Sequence, residues 1–359
     1  MTASKSDPVR TQALSARLWD AVREGDEYAA ADVVLSAVDA GLDAESALLD
    51  VIAPAQAKAG TEWAANRISV TQEHTATAIN DRVIAALAHH GPDETRRPRR
   101  GRVTVACVEG EWHALPARLL AETLRLRGRW VDFLGAHVPV PNLIDHLHRT
   151  RPDTLALSSS IPIRLPAAHA AIIASQAAGV PVMAGGAAFG PGGRYADRLG
   201  ADAWAPDART AAVRLEEILA RPYVPPPAHE PLNDLPHLAD QEYTLVTRTT
   251  HRLATAVLAA LPERLPAMAG YNDRQRRHTA EDLVYVTEFL GAALYLDDAG
   301  LFTRFITWTA GILAARGVPA HSLAPALDLL AEQLTDFPRA VALLRDGHTA
   351  LQAVSAAGW

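Results

Sequence analysis

Val103-Thr104-Val105-Ala106-Cys107-Val108 runs directly into Glu109-Gly110-Glu111-Trp112-His113, and this stretch decides how the centre of the chain folds. A short, mostly apolar run rich in β-branched residues suits a buried parallel strand. An imidazole just past the carboxyl end of such a strand stands where an open α/β sheet takes its ligand. Glu111, two residues earlier, can hydrogen-bond one ring nitrogen of His113, fixing the tautomer and leaving the other nitrogen as a metal ligand. In most proteins a histidine after a strand is a polar surface residue, so the reading depends on its surroundings.

Downstream, strand and helix patterns alternate as in a doubly wound sheet. Strands are expected at Val103–Val108, Trp130–Leu134, Thr154–Ser158, Val180–Ala184 and Ala201–Ala205, with helices at about 115–127, 141–149, 165–178, 192–199 and 207–220. Together with the basic linker Arg96–Arg102, they define a Rossmann-like, flavodoxin-like domain over 96–220 with a five-stranded parallel sheet. Glu109–His113, Ser158-Ser159-Ser160 and Gly185-Gly186-Ala187 follow the first, third and fourth strands and converge on one sheet edge. Hydroxyls and bare glycine backbone there let a bulky ligand approach the main chain. Taken singly, a Ser run or a Gly-Gly pair is ordinary turn punctuation.

Residues 1–95 read as a four-helix bundle. Apolar spacing recurs at Leu14, Leu18 and Val22, at Val33, Val34 and Val38, and at Leu48, Leu49 and Ile52 in a helix running from Asp43 toward Trp63 with a bend at Pro54. Ser69-Val70-Thr71-Gln72 has capping-box spacing for a fourth helix reaching about Ala88, stopped by His89-His90-Gly91-Pro92. The proline-rich stretch 221–240 (Pro222, Pro225, Pro226, Pro227, Pro231, Pro236) reads as a stiff extended linker. After it, 241–359 is again helical, with Leu253/Val257/Leu261, Leu283/Val286/Leu290/Leu294, Phe302/Phe305/Ile306 and Leu323/Leu327/Leu330 at helical steps.

Composition is that of a globular protein, 49% hydrophobic and 21% charged over 359 residues. A net charge of −7 with scattered basic residues leaves no electrostatic footprint for direct nucleic-acid binding. The start of the chain lacks the apolar core of a signal peptide, no stretch is long and apolar enough for a membrane span, and Cys107 is the only cysteine. A cytoplasmic protein without internal disulfides is expected. The 14 histidines are dispersed, and His146-x-His148 lacks partners at the spacing of a closed zinc site.

Glu111-x-His113-x-x-Pro116, Ser158–Ser160 and Gly185-Gly186 together resemble the base-off cobalamin-binding module, whose pattern is Glu or Asp-x-His-x-x-Gly, then Ser-x-Leu or Ser-x-Thr, then Gly-Gly. Pro116 departs from the glycine of that pattern. The resemblance implies that His113 is the lower axial ligand of cobalt and that the displaced nucleotide tail passes Ser158, Ser160, Gly185 and Gly186. Upstream, Trp63 followed after nine residues by Glu73-His74 resembles the Trp-x(9)-Glu-His signature of adenosylcobalamin-dependent photoreceptors. It implies that the bundle caps the corrin's upper face, Trp63 packing on the adenosyl group and Glu73 bonding to it. The best-known members carry a histidine directly after the Trp as a new cobalt ligand after illumination. Here Ala64 stands there, leaving water, His74 or no protein group for that role.

In the last segment, Arg276-Arg277-His278-Thr279-Ala280-Glu281-Asp282-Leu283-Val284-Tyr285 is similar to the chromophore helix of phycobiliprotein-like globin folds. Asp282 matches the carboxylate that bonds the pyrrole nitrogens, while Thr279 replaces the attachment cysteine, so a bilin would be held non-covalently. Arg274, Arg276 and Arg277 would pair its propionates, with His278 and Tyr285 beside it. A salt-bridged helix face is the other account of these residues. The whole order resembles the photocobilins. It implies a light sensor rather than an enzyme, binding adenosylcobalamin with His113 on cobalt (metal: His113) and biliverdin or another linear tetrapyrrole in a globin-like domain. Homodimerisation and an unidentified downstream protein are the expected outputs. A corrinoid methyl carrier of a methyltransferase system and a non-chromophoric interaction scaffold are the alternatives.

Overall fold

The computed structural model describes residues 7–90, 100–220, 222–226 and 230–356. Two compact units, Met1–His229 and Glu230–Trp359, divide the chain.

In the first unit, α1 (Pro8–Glu24) begins where the Asp7 carboxylate accepts the Val9 N–H, and it ends at left-handed Gly25. Asp26 caps α2 (Glu27–Asp39) in the same way. The third helix, α3, spans 44–64 and is not uniform: Ala47–Ile52 forms a π-helical segment before Ala53–Ala64 continues. The Ala53 N–H bonds to the Leu48 carbonyl one residue beyond the normal partner, just ahead of Pro54, which has no N–H to donate. The irregularity expected at the proline is therefore a widened turn on its amino-terminal side. α4 (Val70–His90) starts with the expected capping box, Ser69 and Gln72 exchanging bonds of 2.8 and 3.2 Å. The expected stop at Gly91-Pro92 lies outside the described residues, as do the start of the chain, Arg96–Arg99 of the basic linker and Pro227. Leu18, Leu48, Ile52 and Ile84 form the bundle core.

The sheet comprises β1 (Arg100–Cys107), β2 (Arg129–Gly135), β3 (Thr154–Ser158), β4 (Val182–Gly185) and β5 (Ala203–Ala205), all parallel in the order β2-β1-β3-β4-β5. The order reverses beside β1, so the ligand crevice of this fold opens between the carboxyl ends of β1 and β3. Cys107 pairs with Ser158, and Ser158 with Gly185, which aligns the three loops that the sequence singles out. Helices α5 (Leu115–Leu126) and α9 (Ala208–Leu219) cover one face with Ala117, Ala121, Leu124, Ala211, Ala212 and Leu215. The remaining sheet-domain helices are α6 (Val140–Thr150), α7 (Leu165–Ala177) and the short α8 (Arg194–Arg198).

Helix α5 serves two cores. Its Leu115 and Leu119 are buried with the bundle, whereas Ala117, Ala121 and Leu124 face the sheet. Beside it, Arg127 forks onto Glu45 at 2.9 and 2.8 Å, and Arg209 forks onto Asp50 at 2.8 and 2.6 Å. Bidentate guanidinium–carboxylate pairs of this kind fix orientation as well as distance. They bind Asp50 of the π-helical stretch to the start of α9, and Glu45 just before that stretch to the end of α5.

The second unit is built from α10 (Glu242–Arg264), α11 (Asp273–Leu296), α12 (Ala299–Ala315), α13 (Ala324–Gln333) and α14 (Pro338–Ala356). Its core contains Leu290, Leu294, Phe302, Ile306 and Leu330. The extended linker is shorter than composition suggests. Pro231–Asp234 and Pro236–Asp240 form helical turns, a proline being compatible with the first position of a turn, and Leu235 and Leu238 are buried. Buried Glu242 caps α14 from a distance, accepting the N–H groups of Arg339 and Ala340 at 3.1 and 2.8 Å. Arg339 in turn forks onto Asp240, whose carboxyl it holds below the ordinary range. Glu242→Ala strands both amides and is expected to cost the second unit about 2–3 kcal/mol. Urea denaturation followed on the second unit checks this, and a loss below about 0.5 kcal/mol would mean that water caps α14 equally well.

Candidate functional site

β1 delivers its loop into the crevice through Gly110, whose φ of +81° favours glycine and whose missing side chain leaves room for the Arg164 guanidinium. Glu111 follows, 1% exposed. One of its oxygens accepts the His113 backbone N–H at 2.9 Å and lies 2.6 Å from His113 Nδ1. The other accepts the backbone N–H groups of Ser160 and Ile161 at 2.7 and 3.1 Å, and the Ser159 hydroxyl at 3.3 Å. Burial alone would push this carboxyl up, but the bonds from the His113 side chain and backbone and from Ser160 bring its pKa down to about 2. The charged carboxylate in turn raises His113, whose own burial opposes the shift and to which the charge of Glu73 adds. With Nδ1–H donated to Glu111, the Nε2 lone pair is left for a ligand, and the side chain is 57% exposed. The neighbouring Cys107 thiol is pushed up to about 12 by burial and by Glu111, so it stays protonated and inert.

A second imidazole meets this loop from β2. Gly110 N–H donates to His137 Nδ1 at 2.8 Å, the His137 N–H donates to the Glu111 carbonyl at 2.9 Å, and the His137 ring stacks on Trp112 with centroids 5.0 Å apart. Nothing in the sequence around His137 marks it. Its role arises only when β2 lies beside β1.

Trp63, in the last turn of α3, is partly buried against the bundle core. Glu73, in the first turn of α4, lies at the same end, and its charge adds to the raising of His113. The Thr77 hydroxyl and Gln56 Nε2 donate to one Glu73 oxygen at 3.0 and 3.4 Å, and exposed His74 lies 2.9 Å from the other. Gln56 also donates to Thr77 at 2.7 Å and accepts from buried Asn80 at 2.8 Å. Asn80 Oδ1 has no hydrogen-bond partner among the described residues. A polar chain thus runs from the bundle interior to Glu73. Gln56, Thr77 and Asn80 escape a sequence reading because isolated amides and hydroxyls on helices carry no spacing signal.

The Ser and Gly clusters contribute in different ways. Ser158 is buried and shares a sheet row with Cys107, Gly185 and Ala205, of which Cys107 and Ala205 pack on the α5/α9 side. Ser159, passed over by the pattern, supplies a hydroxyl to Glu111, whereas Ser160 supplies only its backbone N–H there. Gly186, at φ +101°, presses against the β3 loop so closely that a Cβ would stand 2.2 Å from the Ser159 carbonyl oxygen. Gly185 has only ordinary contact, 3.6 Å from the Ala205 carbonyl.

The second unit holds the remaining residues by itself. Arg274, His278, Asp282 and Tyr285 share one face of α11, and Phe289 continues it to stack on Phe305 of α12, centroids 3.7 Å apart. Arg276 and Arg277 turn off that face, and Arg276 donates to the Tyr271 carbonyl at 3.2 Å. Asp282 is exposed by surface area, yet desolvation by the surrounding protein raises its pKa; His278 and Arg316 oppose this and Glu281 adds to it. An ion pair on this stretch joins His278 to Glu281 at 3.2 Å. Tyr285 and Trp308 are both about half exposed.

Two family models, each described as a B12 binding domain, match residues 14–88 and 101–216. This part of the chain is a cobalamin-binding module. The module is 28% identical over 141 residues to dimethylamine corrinoid protein 1 of Methanosarcina acetivorans, a match covering 38% of this chain and 65% of that protein. It is 34% identical over 128 residues to the HTH-type transcriptional repressor CarH of Myxococcus xanthus, covering 35% of this chain and 41% of the repressor. This chain therefore spans less than two thirds of either relative. The monomethylamine corrinoid protein of Methanosarcina barkeri has the same fold, with a TM-score of 0.51 at 19% identity over 58% of this chain and 99% of that one. Neither B12 model extends past residue 216.

If the tight contact at Gly186 shapes the module, Gly186→Ala should destabilise the first unit by at least about 2 kcal/mol. Gly192→Ala, at φ +67° with open space around the Cβ, should cost only about 1 kcal/mol. Thermal melts of both variants compare the two, and equal losses would leave backbone conformation as the only constraint at Gly186.

Proposed function

We propose that the chain is a light sensor that holds adenosylcobalamin between bundle and sheet, with His113 on the lower face of cobalt, and a non-covalent bilin, biliverdin by preference, on α11 of the second unit. The observation that carries this reading is the buried Glu111 carboxylate that holds the exposed His113 imidazole at the sheet's switch point, with Glu73, just past Trp63 in the bundle, adding its charge to that imidazole's surroundings. The donor set suits a corrin. Among the described residues no three His, Cys, Asp or Glu side chains gather to hold a metal, so a cobalt here brings its equatorial ligands with it and asks the protein for one imidazole. When bound, adenosylcobalamin supplies a cobalt–carbon bond that light can break.

The protein's part is to hold and to respond. Glu111 keeps His113 in the tautomer that presents Nε2, and the carboxylate itself stays charged because five donors surround it. Trp63 offers a flat apolar wall, and Glu73, braced by Gln56 and Thr77, accepts hydroxyl donors on the opposite side. His74 is within reach of the same place. Loss of a bulky group from between bundle and sheet gives the two states different contacts, which is what a switch requires. In the second unit, Asp282 suits pyrrole N–H donors, Tyr285 and Trp308 suit a flat conjugated ring, and Arg274 suits an acidic side group. Signalling passes through homodimer rearrangement or a downstream protein. Neither the Trp63/Glu73 wall nor the second unit has a use in a methyl carrier, which must leave the upper face open to its partner enzyme.

Reconstitution with adenosylcobalamin tests the first half. His113→Ala should weaken binding by at least about tenfold and remove the nitrogen-coupled signal from the electron paramagnetic resonance spectrum of the Co(II) form, and unchanged spectra would eliminate His113 as the ligand. Trp63→Ala should abolish any preference for adenosylcobalamin over methylcobalamin, and green light should change the hydrodynamic size of the wild type but not of this variant. For the second half, Asp282→Ala should shift or abolish the red band of protein loaded with biliverdin. An unaltered band would refute the role given to Asp282.

A further inference from the structure

We infer that His137 is a positioning residue that sets the aim of His113 by clamping the backbone immediately before it, an inference that rests on His113 being the cobalt ligand. Three contacts carry it. Gly110 N–H donates to His137 Nδ1 at 2.8 Å, His137 N–H donates to the Glu111 carbonyl at 2.9 Å, and the imidazole lies parallel to the Trp112 indole within 5°. These contacts fall on the three residues that lead into His113, while none falls on His113 itself.

The geometry is held against a cost. His137 has φ +49°, in the left-handed region that β-carbon sterics disfavour, and it is a histidine rather than the glycine that would sit there freely. A residue stays in such a conformation only where its surroundings fix it. Here the surroundings are the His113 loop. His137 grips the loop by accepting the Gly110 N–H through Nδ1, so the ring proton sits on Nε2.

The two sides of the loop are thus held by different strands. The β3 loop grips the Glu111 side chain through Ser159, Ser160 and Ile161, and the β2 loop grips the main chain through His137. With only the first grip, Glu111 and the His113 ring can pivot together about the carboxylate. The second grip removes that freedom and leaves Nε2 one direction to face.

The chemistry names its own rescue. Asparagine tolerates left-handed backbone and places an acceptor oxygen about where imidazole places Nδ1. Glycine relieves the backbone strain, so the variant folds, but it offers no acceptor and no ring. In the ligand-free chain, hydrogen exchange over residues 110–113 should accelerate at least tenfold in His137→Gly and stay within about threefold of wild type in His137→Asn. With cobalamin bound and reduced to Co(II), the nitrogen-coupled fraction of the resonance signal should fall in His137→Gly and persist in His137→Asn, with affinity about tenfold weaker in the glycine variant only. Unchanged exchange in His137→Gly, or equal loss in both variants, overturns the assignment. A wild type without nitrogen coupling would refute the cobalt role of His113 instead, and the exchange comparison would still decide whether His137 holds the loop.

Discussion

One carboxylate organises the crevice. Glu111 is buried where a charge is costly, and it is kept ionised by five donors that come from its own loop and from the loop after β3. Removing it would leave buried amides unpaired and an imidazole without orientation, so the sheet's open end and the basicity of His113 stand or fall with it. Everything proposed for the chemistry of the first unit begins from that arrangement, since an imidazole whose tautomer wanders is a poor ligand.

Around this centre, the bundle is held at two levels. Trp63 stands in the last turn of α3 with Glu73 just past it, while Arg209 grips Asp50 inside the π-helical turn of α3 and Arg127 grips Glu45 just before it. Widened turns recur at places where helices do more than pack. In α3 the widened turn itself carries Asp50 of the ionic grip and lies ahead of the segment that ends in Trp63, so a change at the Trp63 end need not disturb the gripped end.

Much of this was legible in the sequence, for physical reasons. Short β-branched runs bounded by glycine gave strands whose ends differ from the observed ones by at most three residues, because a doubly wound sheet buries both strand faces. The capping boxes at Ser69 and Asn272 announce helix starts through local bonds alone, though only the first was anticipated. What stayed hidden depends on neighbours remote in the chain: His137 acquires meaning 27 residues from Gly110, and Gln56 acquires it 17 residues from Glu73. The proline-rich stretch is less extended than its composition implies, since Pro231 and Pro236 each open a turn. On α11, spacing selects Asp282 and Tyr285 with Arg274 and His278 and separates Arg276 and Arg277 from them, a distinction that composition could not make.

Helix α5 has a consequence for how the first unit melts. Since Leu115 and Leu119 complete the bundle's interior while Ala117, Ala121 and Leu124 complete the sheet's, neither half can denature without stripping apolar cover from the other. The two halves form a single cooperative block, so heat or denaturant should reveal one transition for both, and a fragment cut between them would inherit a leucine-lined wound rather than a finished domain.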